Sequence, residues 1–172
     1  GASAVQAATV SFGRAAFDAA FPGSVFETWD GYADGTVIPN GSTVNTITYN
    51  SSAGSAVVNN TFLPSTPPNA LGRTPTDFFS PGDVITFTFS SPVTAFGIDQ
   101  NTFDLLPGGL TGTTSAGEIV ASIFDPLPWF GTGQFLGFST NMPFMSTSLT
   151  DPPAFGLPLE PMCLRALTTT KT

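Results

Sequence analysis

The groups able to do chemistry in this chain are few. Acidic side chains number 12 against four basic ones, and histidine is absent. Without an imidazole there is no Ser-His-Asp triad, no Cys-His pair and no His-ligated zinc. The single cysteine, Cys163, closes no internal disulfide and reads as a small core hydrophobe. What remains is carboxylate, amide, hydroxyl and aromatic chemistry. Glu27, Asp30 and Asp34 fall in one short stretch, and Asp99 ends a strand-like run. Calcium takes hard oxygen ligands of this kind. These four are therefore the candidate calcium ligands, and calcium is the one cofactor the sequence offers. Their spacing is not that of an EF-hand. The competing reading is an Asp before Gly in a turn, bonded to nearby backbone. Glu27 shares a face with Val25 and Trp29 if residues 25–29 form a strand. Buried there, it needs a metal, a proton, or Arg14 or Arg73 to offset its desolvation.

The aromatic set is Trp29, Tyr32, Tyr49, Trp129 and Phe130, all in or beside predicted loops. A flat apolar face next to amide and carboxyl groups suits a sugar ring. Trp129, Phe130 and Tyr32 are the candidate glycan contacts. Trp129 follows Pro128 in a Pro/Gly loop, whereas Trp29 reads as a cap on the core. Glycoside hydrolysis requires only two carboxyl groups. No motif singles out a pair among the 12 acidic residues, so the chain reads as non-enzymatic.

These residues must be positioned by strands. In Asp83–Asp99, Ile85, Phe87 and Phe89 alternate with Val84, Thr86 and Thr88. Strand side chains point to opposite faces with period two, so the three large apolar residues form a buried face. Pro81-Gly82 opens this strand, Ser90-Ser91-Pro92 reads as its closing turn, and Val93–Ile98 follows as a second strand. Ala8–Phe12, Val25–Trp29, Val44–Tyr49, Ser55–Val58, Glu118–Phe124, Gln134–Ser139 and Phe144–Thr150 also read as strands. On Glu118–Phe124, Ile119, Ala121 and Ile123 share a face. Residues 59–77 read as a long surface excursion, of a kind that is often functional. Asn141-Met142-Pro143 reads as a turn. One helix is predicted at 14–21, with Phe17 and Phe21 on one face and Pro22-Gly23 as its stop.

At 172 residues the chain is one domain. Its 17 phenylalanines predict an aromatic core, and 18 glycines and 16 prolines sit between the strand-like runs as turns. The fold class is all-β: a single, jelly-roll-like β-sandwich of roughly nine or ten strands with one short helix. The net charge is −8, and four basic residues make no footprint for nucleic acid. No apolar run reaches the ~18 residues of a membrane span. A surface of Ser, Thr, Asn and Gly with little Lys fits a secreted protein. Val5-x-Ala7 matches the end of a signal peptide. Residues 1–7 are thus read as a leader remnant, 8–167 as the domain and 168–172 as a loose end.

The order of motifs is also familiar. Pro-Gly-Asp-Val-Ile-Thr-Phe-Thr-Phe is followed by Pro-Val-Thr-Ala-Phe-Gly-Ile-Asp and then by Gly-Gln-Phe-Leu-Gly-Phe-Ser-Thr-Asn-Met-Pro-Phe. Ahead of these stand Thr-Val-Ser-Phe and Asn-Gly-Ser-Thr-Val-Asn-Thr-Ile-Thr-Tyr. Over residues 8–150 the chain resembles the secreted bacterial β-sandwich proteins that carry a PEP-CTERM sorting tail. The tail's Pro-Glu-Pro, apolar helix and basic end are not in this sequence. Leu164-Arg165 matches the family's close, but Pro158 and Pro161 sit badly in a strand, so the closing strand is expected to be irregular. The resemblance implies an exported domain at a bacterial cell surface or in an exopolysaccharide matrix, with no enzymatic activity. The expected partners are a polysaccharide or other copies of the chain. The alternatives are a filament or surface-layer subunit joined by strand addition, and a glycoside-processing enzyme.

Overall fold

The computed structural model describes residues 9–61, 69–101, 110–124, 133–150 and 163–171. The first half contains β1 (Thr9–Phe12), α1 (Arg14–Ala20), β2 (Val25–Glu27), β3 (Thr36–Ile38), β4 (Thr43–Val44), β5 (Ile47–Ser51), β6 (Ala56–Asn59) and β7 (Ala70–Arg73). Then come β8 (Val84–Asn101), β9 (Thr111–Thr114), β10 (Ile119–Ala121), β11 (Ile123–Phe124), β12 (Gly133–Thr150) and β13 (Cys163–Lys171). The fold is an all-β sandwich with two antiparallel sheets. The predicted leader remnant lies outside the described residues, as does the Cys163 side chain.

β8 and β12 are antiparallel partners of 18 residues each, and both run through the two layers. In the first sheet β4 pairs with β5, and β5 with Ile85–Phe89 of β8. The order continues through Ser146–Thr150 of β12 to β9 and β10. In the second sheet Gly133–Ser139 of β12 pairs with Ala95–Asn101 of β8. β1 and β11 lie along the other side of that β12 segment. β13 pairs with β8 and is bordered by β2 and β7, after which come β6 and β3.

The central pair is therefore not a hairpin closed at Ser90-Ser91-Pro92. β8 continues through these residues, and they fall where neither β5 nor β13 pairs with it. On β12 the matching register shifts lie between Ser139 and Ser146, around Asn141-Met142-Pro143. A proline removes a ladder donor, and here each proline stands in a gap of the ladder. Turn chemistry thus marks the bends at which two strands pass from one sheet to the other.

Ile85, Phe87 and Phe89 are buried as the alternation predicts. They join Tyr49, Phe96, Phe138 and Phe144 in one core, with neighbouring ring centroids 5.5–6.3 Å apart. These are ordinary distances for edge-on and tilted aromatic pairs. A second cluster lies on the outer face of the second sheet, where Phe17 packs on Ala95 and Phe135 beside Phe12 and Phe21. Gly97 leaves room for these rings: a Cβ there would stand 2.8 Å from Phe135 and 3.2 Å from Phe17.

Four further expectations are corrected. Val44–Tyr49 is two strands joined by a two-residue turn, Asn45-Thr46, rather than one strand. The stretch 59–77 contains β7, whose Ala70 and Leu71 are buried between β6 and β13, so it is not all surface. Glu118–Phe124 is two short strands rather than one, although Ile119, Ala121 and Ile123 do share a face, the exposed one, with Val120 toward the core. The strand breaks at Ser122, whose N–H and Oγ bond to the backbone of Leu110. Finally, 168–171 is not a loose end: β13 runs to Lys171, and Thr168 and Thr169 pair with both β8 and β2, while the expected irregularity of the closing strand is present as register shifts between Leu164 and Leu167 and between Thr170 and Lys171.

Candidate functional site

Glu27 ends β2, and the chain then turns sharply through Trp29, at φ 61°. That turn swings the indole into the core, where Trp29 is fully buried and its Nε1–H donates to the Tyr49 hydroxyl at 3.0 Å. Glu27 holds the turn from outside, since its Oε1 accepts the Trp29 N–H at 2.9 Å. Residues 25–29 are thus not one strand, and Glu27 and Trp29 part to opposite sides of a bend. The other carboxylate oxygen, Oε2, accepts from Asn45 Nδ2 at 3.0 Å and from the Tyr32 hydroxyl at 3.3 Å. Asn45 Nδ2 also donates to the Tyr32 oxygen at 2.8 Å. Burial first, then the Glu27 charge and its hydrogen bond, raise the Tyr32 pKa above its ordinary value. The phenol therefore keeps its proton and donates it to Glu27. Burial also raises the Tyr49 pKa, with smaller upward contributions from Glu27 and Tyr32 opposed by the Trp29 hydrogen bond.

Asn45 and Thr46 form the turn between β4 and β5, with φ of 49° and 69°. Two-residue hairpin turns of this hand need positive φ at both positions, hence their preference for Asn-Gly. Asn suits the first position. At the second, Thr is β-branched in a region that such residues rarely occupy. The turn is tied to the bend of β8 by a bond from the Ser90 N–H to the Thr46 carbonyl, 3.0 Å long.

Between β2, this turn and the bend of β8 lies a cleft of about 290 Å³. Its apolar wall is Val25, Phe26, Ile47, Phe89 and Val93, and its polar wall is Glu27, Asn45, Thr46, Ser90 and Ser91. Phe26 is 47% exposed and Val25 52%. The cleft joins an accessible ring, one carboxylate, one amide and three hydroxyls.

Of the residues singled out from sequence, Glu27 lines this cleft and Tyr32 braces Glu27. Trp129 and Phe130 lie outside the described residues. The calcium set is not brought together, and no group of three or more acidic or cysteine side chains suited to a metal occurs among the described residues. Each carboxylate has other work. Asp30 accepts the Asn69 N–H at 3.4 Å, and Asp34 the Asn60 N–H at 3.0 Å. Asp99 is buried beneath α1 and ion-paired with Arg14. The arginines expected near Glu27 serve elsewhere: Arg14 pairs with Asp99 and Asp18, and Arg73 with Asp83 at 2.6 Å. Trp29 and Tyr49 are core residues and offer no outer face.

The sequence reading missed Phe26, Asn45, Thr46, Ser90 and Ser91 as cleft residues. A signal was present in Asn45-Thr46, an Asn-led dipeptide at the centre of a hydrophobic alternation. No protein-family model, curated protein or solved structure matches the chain. Among the described residues no helix is long and apolar enough to cross a membrane.

Proposed function

We propose that the chain is an exported, non-enzymatic protein of a bacterial cell surface or extracellular matrix that binds polysaccharide weakly through this cleft. The observation that carries the reading is the half-exposed Phe26 ring beside the Glu27–Asn45–Tyr32 network. A sugar presents C–H faces to an aromatic ring and hydroxyls to amide, carboxylate and hydroxyl partners, and recognition sites combine an apolar wall with a few placed polar groups. Among the described residues Glu27 is the one carboxylate in the cleft. Glycoside hydrolysis takes two, which supports binding without cleavage. The resemblance to sorting-tail β-sandwich proteins and the lysine-poor composition support export.

The test is retardation in native gels cast with polysaccharides. The wild type should be slowed by at least one polymer without releasing reducing ends, and Phe26→Ala should run as if the polymer were absent. Unchanged retardation of Phe26→Ala, or none for the wild type across a broad panel, would reject the reading.

A second reading, strand-addition assembly, is favoured by a separate observation. Among the described residues β1, β3 and β10 each pair on one side only, and Val10, Val37 and Ile119 on them are exposed. Edge strands without charge invite pairing. Pelletable fibres in the same preparation would favour this reading.

A further inference from the structure

We infer that the cleft selects an uncharged sugar residue and rejects uronate- or sulfate-bearing polymers, an inference that rests on the glycan-binding reading above. Glu27 puts one negative charge in the polar wall, and that charge is fixed. Its Oε1 is held by the Trp29 N–H and its Oε2 by Asn45 and Tyr32, so the carboxylate cannot turn away from an incoming anion. Among the described residues no Arg or Lys side chain lines the cleft. Arg14 and Arg73 are paired with Asp18, Asp99 and Asp83. Among the described side chains a ligand carboxylate or sulfate would therefore meet a like charge and no counter-charge, a repulsive element of the kind that gives binding sites their specificity. The net charge of −8 adds a general field of the same sign.

A neutral sugar meets the opposite situation. Hydroxyl groups both donate and accept, and amide oxygens accept. Thr46, Ser90, Ser91 and Asn45 thus match a ring of hydroxyls, and Glu27 can accept a charge-assisted bond from one of them. At about 290 Å³ the cleft is at the small end of ligand cavities, which run from roughly 300 to 1,000 Å³. That size fits one sugar residue against Phe26 rather than a long segment of polymer. Thr46 supplies one of the hydroxyls from a left-handed conformation, φ 69°. Strain of this kind collects where a site needs a particular side chain.

The experiment compares neutral polymers (dextran, mannan, a soluble β-glucan) with alginate and a sulfated galactan, in the same native-gel format at low salt. The expected result is retardation by at least one neutral polymer that is at least about tenfold stronger than by either acidic one. Ser90→Lys, at an exposed position, should raise alginate retardation, and Glu27→Gln should narrow the gap between the two polymer classes. The wild-type comparison does not depend on either variant folding. Alginate binding as strong as neutral-polymer binding would overturn the inference while leaving the glycan reading intact. Retardation by no polymer at all would reject the glycan reading itself.

Discussion

Trp29 and Tyr49 show how one hydrogen bond ties the site to the core. Both side chains are fully buried, and the indole N–H has the Tyr49 hydroxyl as its acceptor. Tyr49→Phe removes that acceptor without changing the ring. A buried donor left unsatisfied costs about 1–3 kcal/mol, so the variant should unfold at correspondingly lower temperature or denaturant concentration. The same residue predicts an alkaline limb. The folded state holds the Tyr49 proton more tightly than the unfolded chain, whose tyrosine titrates near 10.0. Below that pH both states are protonated and the stabilisation is complete. As pH rises above it, the unfolded state loses its proton first and stability falls. Melting temperatures across pH 9–11, an interval of about one unit either side of the free tyrosine value, should decline for the wild type and less steeply for Tyr49→Phe.

At the scale of elements, two glycines set how closely strands and helix approach. Gly97→Ala would push a methyl toward the Phe135 and Phe17 rings, an overpacking that costs about 1–3 kcal/mol. At Gly72 the added Cβ would stand 1.9 Å from the Asp77 carbonyl oxygen. Backbone yields less readily than a ring edge, so Gly72→Ala should be the more damaging of the two in chemical denaturation. The bends of β8 and β12 show what could be read from the chain and what could not. The alternation of Ile85, Phe87 and Phe89 gave their burial directly, because period two is a local property. Ser-Ser-Pro and Asn-Met-Pro were equally visible as breaks in pairing, but whether a break reverses a strand or only bends it depends on partners far away in sequence. The Asn45-Thr46 turn was signalled by its asparagine alone, for a related reason. Without a glycine, the stretch from Val44 to Tyr49 keeps the pattern of a single strand.

For the whole molecule, β13 is the keystone of the second sheet. It lies between β8 on one side and β2 with β7 on the other. A chain ending at residue 162 would leave both ladders open and remove the strand that joins β7, β6 and β3 to β8. Such a chain should show no cooperative melting transition by circular dichroism. Its irregularity was expected in sequence from Pro158 and Pro161, and in the structure it takes the form of register shifts within β13 against β8. The site was legible only in part. Glu27 stood out because a carboxylate among apolar neighbours requires an explanation, and Tyr32 because it lay close by. Phe26, Ser90 and Ser91 meet them only after the sheets assemble. The route of β13 also bears on handling the protein. It ends beside Val93, which lines the cleft. A tag or tether inserted after Lys171 would stand beside the entrance to the ligand, so its presence would itself alter any measured affinity.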